Sequence, residues 1–407
     1  TDFDADSTGG FDIVPVSVTV NAGEPIPLEA PETGPDTGVF KTQIDTAAAA
    51  DGDGEKLVVR PGDRIFLRYR DEQNTFPGHA VEREAVVFVR TPTEGRLRIV
   101  ESRLTPPTEG SEAAPQIVFL PTSGSAEGEI RGVAYGAPLT VEVIDPDAAK
   151  DTRSTVAVTL QVGTGKPVKL ACVISSAYGE DDPNLAEVRN PALHQGRFVG
   201  QIPLRLGGAD SPQLVPADDG APSGLIGRVL LDDESSDSPG LASPGISDAL
   251  VPVLNLTGRD LAQATYSDAE RPGGGPAELG ERARIISDGQ ITITDKEYEG
   301  EAEIVFLGER LYLSVEVADR DLSDERDRVV LTITSSHGEQ DLVTLEETLS
   351  HSGVFTGSFA LAATKAPTKG NISTSAAAEI EGFFDETLVA TYTDSTPASS
   401  GEPLTLT

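Results

Sequence analysis

The chain has 407 residues, 67 acidic against 31 basic, and a net charge of −36 at neutral pH. That balance provides no basic footprint for phosphates, so nucleic acid and anionic membrane surfaces are excluded as expected partners. No apolar run reaches the ~18 residues of a membrane-spanning helix, and a single cysteine, Cys172, excludes an intrachain disulfide.

In chain order, Asp2 and Asp4 come first, as an Asp-x-Asp pair. Val14, Val16, Val18 and Val20 then alternate with small or polar residues, which predicts a strand with one buried face. Gly23 opens the next strand, and Glu32–Phe40 (ETGPDTGVF) closes it in a glycine turn. Asp51-Gly-Asp53-Gly-Glu55 predicts a hairpin turn, because the remaining ligand spacing of an EF-hand loop is missing. A last strand ends in Tyr69/Asp71. The pattern then starts again. Leu139, Val141 and Val143 lead into Asp145/Asp147, and Val156, Val158, Leu160 and Val162 alternate before Gly165. Cys172 shares the apolar parity of Val168, Leu170 and Ile174 and is expected as a small core hydrophobe. Phe198 follows, and Tyr266/Asp268 ends the stretch. Residues 209–249, rich in Asp, Ser, Pro and Gly, predict a long loop, and Arg271–Pro276 (RPGGGP) predicts a linker. A third round runs through Leu313, Val315 and Val317 to Asp319/Asp321. It continues through Val329, Leu331 and Ile333 to Gly338, Phe355 and Tyr392/Asp394. Pro403–Thr407 reads as one more strand.

The chain is therefore a repeat in three copies. From Gly23 to Gly38 and from Gly338 to Gly353 is 15 steps each, so copies 1 and 3 align without a gap, whereas Gly165 to Gly196 takes 31. Short strands with turns at regular spacing predict an all-β fold of tandem immunoglobulin-like β-sandwich modules. The expected boundaries are 1–88, an incomplete first module; 89–270, a second with long loop insertions; 278–398, a third; and 399–407, a tail strand. The strands that precede the Asp-x-Asp slot in copy 3 have no counterpart ahead of Thr1. The tail strand is expected to complete the open first module of a neighbouring chain. A chain that starts in mid-module and lacks methionine is expected to be processed, or a segment of a longer one.

The strings VADRDLSDERDRVVLTITSSHGEQDLVTLEETLSHSGVFTGSF and ETGPDTGVF resemble the immunoglobulin-like repeats of very large bacterial and archaeal surface proteins. The resemblance covers copies 1 and 3 well and copy 2 loosely. It implies an extracellular, modular protein with a structural or adhesive role, and it carries over no catalytic residue.

The Asp-x-Asp sites are the candidate chemistry. Alternate residues in a strand-end loop present two carboxylates to one cation, and calcium asks for six to eight oxygens. Asp145, Asp147, Asp319, Asp321, Asp324 and Asp327 are the candidate ligands of a structural calcium ion, with the same residues as solvated turn charges the alternative. Gly163–Pro167 fails as a phosphate loop, since Pro167 stands where Ser or Thr is required. His79, His194, His337 and His351 show no metal spacing, and no G-x-S-x-G elbow occurs, so no enzyme is expected. Asn255-Leu-Thr257 and Asn371-Ile-Ser373 are glycosylation sequons. Phe40, Phe198 and Phe355 recur at one repeat position and are expected as core plugs.

Together these features predict a structural subunit or segment of an extracellular fibre, stalk or surface layer. It would self-associate through strand complementation and contacts at module junctions. The alternative is an adhesin whose copy 2 loops bind a cell-surface or polysaccharide ligand.

Overall fold

A computed structural model describes residues 1–47, 56–73, 79–105, 116–120, 129–178, 190–208, 213–216, 224–230, 250–272, 274–338, 340–366, 372–373, 379–400 and 402–407. The expectations for Asp51–Glu55, for Asn371 and for most of 209–249 lie outside the described residues. Among the described residues the chain is all-β, with one five-residue α-helix, Pro191–Gln195, and one 3-10 turn, Ala318–Arg320. No helix among the described residues is long and apolar enough to cross a membrane. Two compact units divide the chain, Thr1–Pro92 and Thr93–Thr407.

In the first unit the alternating valines form β1 (Ile13–Val20). Its partners are β2 (Ile26–Pro31) and β5 (Arg64–Asp71), and β6 (Val81–Phe88) pairs with β5. The sheet order is β2-β1-β5-β6, with β3 (Thr46–Ala47) and β4 (Leu57–Val58) as a separate short parallel pair. The core is small: Val18, Leu57 and Val59 are buried, with Val20, Leu28, Ile44, Ile65 and Val89 packed on them.

The second unit holds two cores. Around the first lie β7 (Arg96–Val100), β8 (Ser102–Leu104), β9 (Ile117–Phe119), β10 (Ile130–Ala134), β11 (Leu139–Ile144), β12 (Thr155–Val162) and β13 (Val168–Ile174). Then follow β14 (Arg197–Ile202), β15 (Leu204–Leu206), β16 (Gln213–Pro216), β17 (Arg228–Leu230), β18 (Leu250–Leu256), β19 (Ala262–Asp268) and β20 (Ala277–Ile286). The main sheet runs β10-β20-β19-β12-β13-β14-β11-β7. Strand β12 buries Val156, Val158, Leu160 and Val162 and turns the residues between them outward, as its period of two requires. Cys172 is fully buried, and burial raises its thiol pKa, so it serves as a core hydrophobe. The expected linker at Arg271–Pro276 is instead the connection of a β-hairpin. Strands β19 and β20 pair from Asp268↔Ala277 to Ala262↔Ala283, and Ile285 and Ile286 belong to the first core.

The second core is enclosed by β21 (Gln290–Thr294), β22 (Arg310–Glu316), β23 (Arg328–Ser335), β24 (Gln340–Glu347), β25 (Val354–Ala363), β26 (Ile372–Ser373), β27 (Glu379–Gly382), β28 (Leu388–Asp394) and β29 (Leu404–Leu406). The order is β21-β22-β25-β24-β23-β28-β29. The tail strand is therefore not an orphan. It pairs in cis with β28, Tyr392 opposite Leu406, and Leu406 packs on the second core.

Backbone hydrogen bonds fix the repeat register. The N–H groups of Asp2, Asp145 and Val317 donate to the carbonyls of Gly38, Gly196 and Gly353, each at 2.8 Å. These glycines have φ of 59°, 67° and 63°, and a Cβ at Gly196 would stand 2.3 Å from the Asp145 carbonyl. Only glycine meets both demands. The register also corrects the alignment of the aspartates. Asp2, Asp145 and Val317 are equivalent, so the Asp319/Asp321 pair of copy 3 lies two residues beyond the Asp2/Asp4 and Asp145/Asp147 pairs.

Candidate functional site

The turn before each equivalent phenylalanine contains the most developed polar arrangement. In copy 1 it is organised by Glu32, which is 4% exposed and bridges to Phe40. Its Oε1 accepts the N–H of Thr37 (2.6 Å), the N–H of Gly38 (2.8 Å) and the Thr37 hydroxyl (3.0 Å). In copy 3, Glu347 is fully buried and does the same: Oε1 accepts the N–H of Ser352 (2.8 Å), the N–H of Gly353 (2.8 Å) and the Ser352 hydroxyl (3.3 Å).

A second carboxylate sits just before the alternating strand. Asp12 Oδ2 accepts the N–H groups of Ser7 and Thr8, both at 2.9 Å, and Asp327 Oδ2 accepts those of Leu322 (2.6 Å) and Ser323 (2.8 Å). A third, Asp6 or Asp321, comes from the loop between. In each copy the three offer carboxylate oxygens within 4.8 Å of one another. Adding 315 to 6, 12 and 32 gives 321, 327 and 347, so the two clusters occupy the same repeat positions.

Among the described residues copy 2 shows no such cluster. Ile174 pairs with Phe198 as Glu32 bridges to Phe40 and Glu347 pairs with Phe355. Ser154 stands immediately before β12, where Asp12 and Asp327 precede β1 and β23. The α-helix Pro191–Gln195 takes over the approach to the turn, capped by the Asn190 side chain at its start and by Gly196 at its end.

The electrostatics follow the hydrogen bonds. Burial opposes the Glu32 carboxylate, but the N–H groups of Gly38 and Thr37, the Thr37 hydroxyl and the Asp12 N–H outweigh it and lower its pKa. The Thr8 and Ser7 N–H groups lower that of Asp12. Asp6 is pushed up, by burial first and then by the charges of Glu32, Asp36 and Asp12. Asp321, fully buried, is pushed up to about 6, chiefly by burial, against a hydrogen bond from His351. The fourth position differs between copies. Asp36 and His351 both adopt left-handed backbone, with φ of 57° and 63°. In copy 1 the negative charge of Asp36 acts on Asp6, whereas in copy 3 His351 Nδ1 lies 3.0 Å from Asp321 and Nε2 3.4 Å from Asp324. These donor sets suit a hard divalent cation: carboxylate oxygens, no sulfur, and a histidine at the edge of one set only.

The structure distributes the six expected ligands unevenly. Asp321 and Asp327 come together, joined by Glu347, and Asp324 projects beside them, 82% exposed. Asp145 instead accepts the Tyr266 hydroxyl at 2.5 Å and the N–H groups of Asp147 and Ala148. Asp147 accepts the N–H and hydroxyl of Thr93. Asp319 is 5% exposed and is held by the hydroxyls of Ser287 (3.1 Å) and Thr396. The Tyr-x-Asp aspartates Asp268 and Asp394 accept the N–H groups of Gly95 (2.8 Å) and Gly289 (2.9 Å), each ahead of the first strand of its copy. Asn255 of the first sequon is only 2% exposed, which leaves no room for a glycan there. The missed candidate ligands are Asp6, Asp12, Glu32 and Glu347; the signal for the two glutamates was their shared position in the ETGPDTGVF and EETLSHSGVF strings.

In the second unit the copy 3 loop is also a seam between the two cores. Gly258 N–H donates to the Asp321 carbonyl at 2.6 Å, and a Cβ on Gly258 would lie 2.0 Å from the Asp319 carbonyl oxygen. Ala318 and Ala398, carried by copy 3, are buried in the first core. Leu104 N–H donates to the Ala398 carbonyl at 3.3 Å. No known family model matches this chain, and no curated protein matches it.

Proposed function

We propose that this protein is a structural element of an extracellular fibre, stalk or surface layer, built of immunoglobulin-like modules and designed to self-associate. The observation that carries the reading is the seam inside residues 93–407. Two cores are joined there without a flexible linker, through Gly258, Ala318, buried Asp319 and Ala398. An array that transmits force needs such rigid neighbours, and each seam adds a nearest-neighbour term to stability.

Calcium is the second part of the proposal. Asp6, Asp12 and Glu32 in copy 1, and Asp321, Asp327 and Glu347 in copy 3, are the residues that would hold it. Bound there, the ion supplies positive charge that fixes the loops, with no catalytic role. In copy 3 the loop is the one at the seam, so the ion would stiffen the junction. Electron microscopy of the purified chain, with and without a calcium chelator, tests both parts. Ordered filaments or lattices that lose order on chelation are expected. Monodisperse particles at every calcium concentration would refute the self-associating role.

A further inference from the structure

The seam between copies 2 and 3 joins a turn of one copy to a loop of the next. Each of these two parts recurs once more in the chain, with an exposed phenylalanine at the contact position.

On the copy 2 side the contact is made by the turn at residues 257–260. Asp260 Oδ2 accepts the Thr257 N–H at 2.8 Å, and the Asp260 N–H donates to the Thr257 carbonyl at 3.1 Å. Copy 3 builds the same turn at residues 383–386. Glu386 Oε2 accepts the Phe383 N–H at 2.8 Å, and the Glu386 N–H donates to the Phe383 carbonyl at 3.2 Å. Asp260 and Glu386 precede Tyr266 and Tyr392 by the same distance in sequence. Phe384 therefore holds the place of Gly258, and it is 78% exposed. Leu307, 37% exposed, lies beside this turn, since a Cβ on Gly382 would stand 3.0 Å from its Cδ2.

On the copy 3 side the contact is received by the loop at residues 318–321. The Asp321 carbonyl accepts the Gly258 N–H, and Ala318 is buried in the first core. Leu206 of copy 2 reaches Gly353, where a Cβ would lie 3.1 Å from its Cδ1. Copy 1 repeats this loop at residues 3–6, because Asp2 and Val317 are equivalent in register. Phe3 therefore holds the place of Ala318, and it is 74% exposed. Its ring lies beside Gly38, the counterpart of Gly353: a Cβ there would stand 2.6 Å from Phe3 Cδ1.

We propose that the Phe384 turn of one chain docks on the Phe3 loop of a second copy, end to end, in the order in which copy 2 meets copy 3. The occupant is a second copy because this chain carries both parts of a junction that it already makes once. Within the chain, Gly258 and Ala318 let the two main chains meet, and the covalent link holds them together. A contact between chains has no such link and must offset the freedom lost on association. Two aromatic rings bury the apolar surface that this requires, and they hold the main chains further apart than glycine and alanine do. The two ends carry like charges, Asp2, Asp4 and Asp6 on one and Asp385 and Glu386 on the other. Screening must therefore strengthen the contact. The contact is heterologous, so it propagates from copy to copy.

The inference deepens the self-association proposed above and rests on it. Phe3→Ser and Phe384→Ser are prepared separately and followed by sedimentation with the wild-type chain. Each variant alone should associate roughly tenfold or more weakly, with an unchanged melting temperature, since both side chains are exposed. Val330→Ser, at a position 54% exposed on β23, should assemble as wild type does. An equal mixture of the two phenylalanine variants should form dimers and nothing longer. The intact Phe384 turn of one meets the intact Phe3 loop of the other, and both outer ends of that dimer are damaged. Wild-type association should rise between low salt and about 0.5 M sodium chloride. If the wild-type chain assembles and the phenylalanine variants assemble equally well, or their mixture forms no dimer, the end-to-end contact is wrong and the structural role survives. If the wild-type chain never assembles, both readings fall.

Discussion

The buried acceptors of the turn illustrate what single residues contribute. Glu347 has no solvent contact and accepts the N–H groups of Ser352 and Gly353. Removing it strands these donors, and a buried unsatisfied donor costs about 1–3 kcal/mol. Glu347→Ala should lower the denaturation midpoint of the second unit accordingly, while Glu347→Gln, which keeps one acceptor oxygen, should lose less. Asp321 makes a prediction of opposite character. Its pKa is raised from 3.8 to about 6, so the folded state binds this proton more tightly than the unfolded chain does. Its contribution is present below the unfolded value and is lost as pH rises through about 6. Urea unfolding of wild type and Asp321→Asn between pH 4 and 7 checks the sign: the variant should lose less stability across that window. Glu32 and Asp12 are lowered, so their share in the first unit disappears as pH falls.

Strands were legible in the sequence where their chemistry is local, and seams were not. Val156 to Val162 announced β12 because a period of two is written in consecutive residues. Arg271–Pro276 misled because a Pro/Gly run serves a hairpin as well as a linker, and only the pairing of Asp268 with Ala277 separates the two. The ligand cluster failed for a related reason. Asp12 and Glu32 are 20 residues apart and meet only because β1 and β2 form a hairpin. Reading Asp-x-Asp as the motif selected Asp145 and Asp319, which cap turns and close the seam instead. The tail strand gives an element-scale prediction. Since β29 pairs with β28 in cis and Leu406 packs on the second core, deleting residues 402–407 should lower the stability of that core. Burying a leucine is worth about 1.5–3 kcal/mol. Gly258→Val should act on the seam alone, because a Cβ there enters the space of the Asp319 carbonyl; overpacking of this kind costs about 1–3 kcal/mol.

At the scale of the whole molecule, the net charge of −36 works against every compact state of the chain. Salt of any kind relieves part of this repulsion, since screening at 0.1 M acts over about 10 Å. A calcium effect must therefore be separated from screening. The two compact units make the separation possible, because copy 1 carries its cluster in one and copy 3 in the other. At matched ionic strength, millimolar calcium should raise the melting temperature beyond what sodium chloride does. A site filled at a hundred times its dissociation constant adds about 2.7 kcal/mol, which corresponds to roughly 10 °C or more in the small unit Thr1–Pro92 and to several degrees in the larger Thr93–Thr407. Asp12→Asn should remove the excess from the transition of the first unit and leave the second unchanged. Asp327→Asn should do the reverse. The negative charge of Asp36 acts on the copy 1 cluster where copy 3 has His351, so the first unit should show the larger free-energy increment. Equal effects of calcium and matched sodium chloride in both units would reduce the clusters to solvated turn charges. The fibre would then have to be held by its end contacts and seams alone.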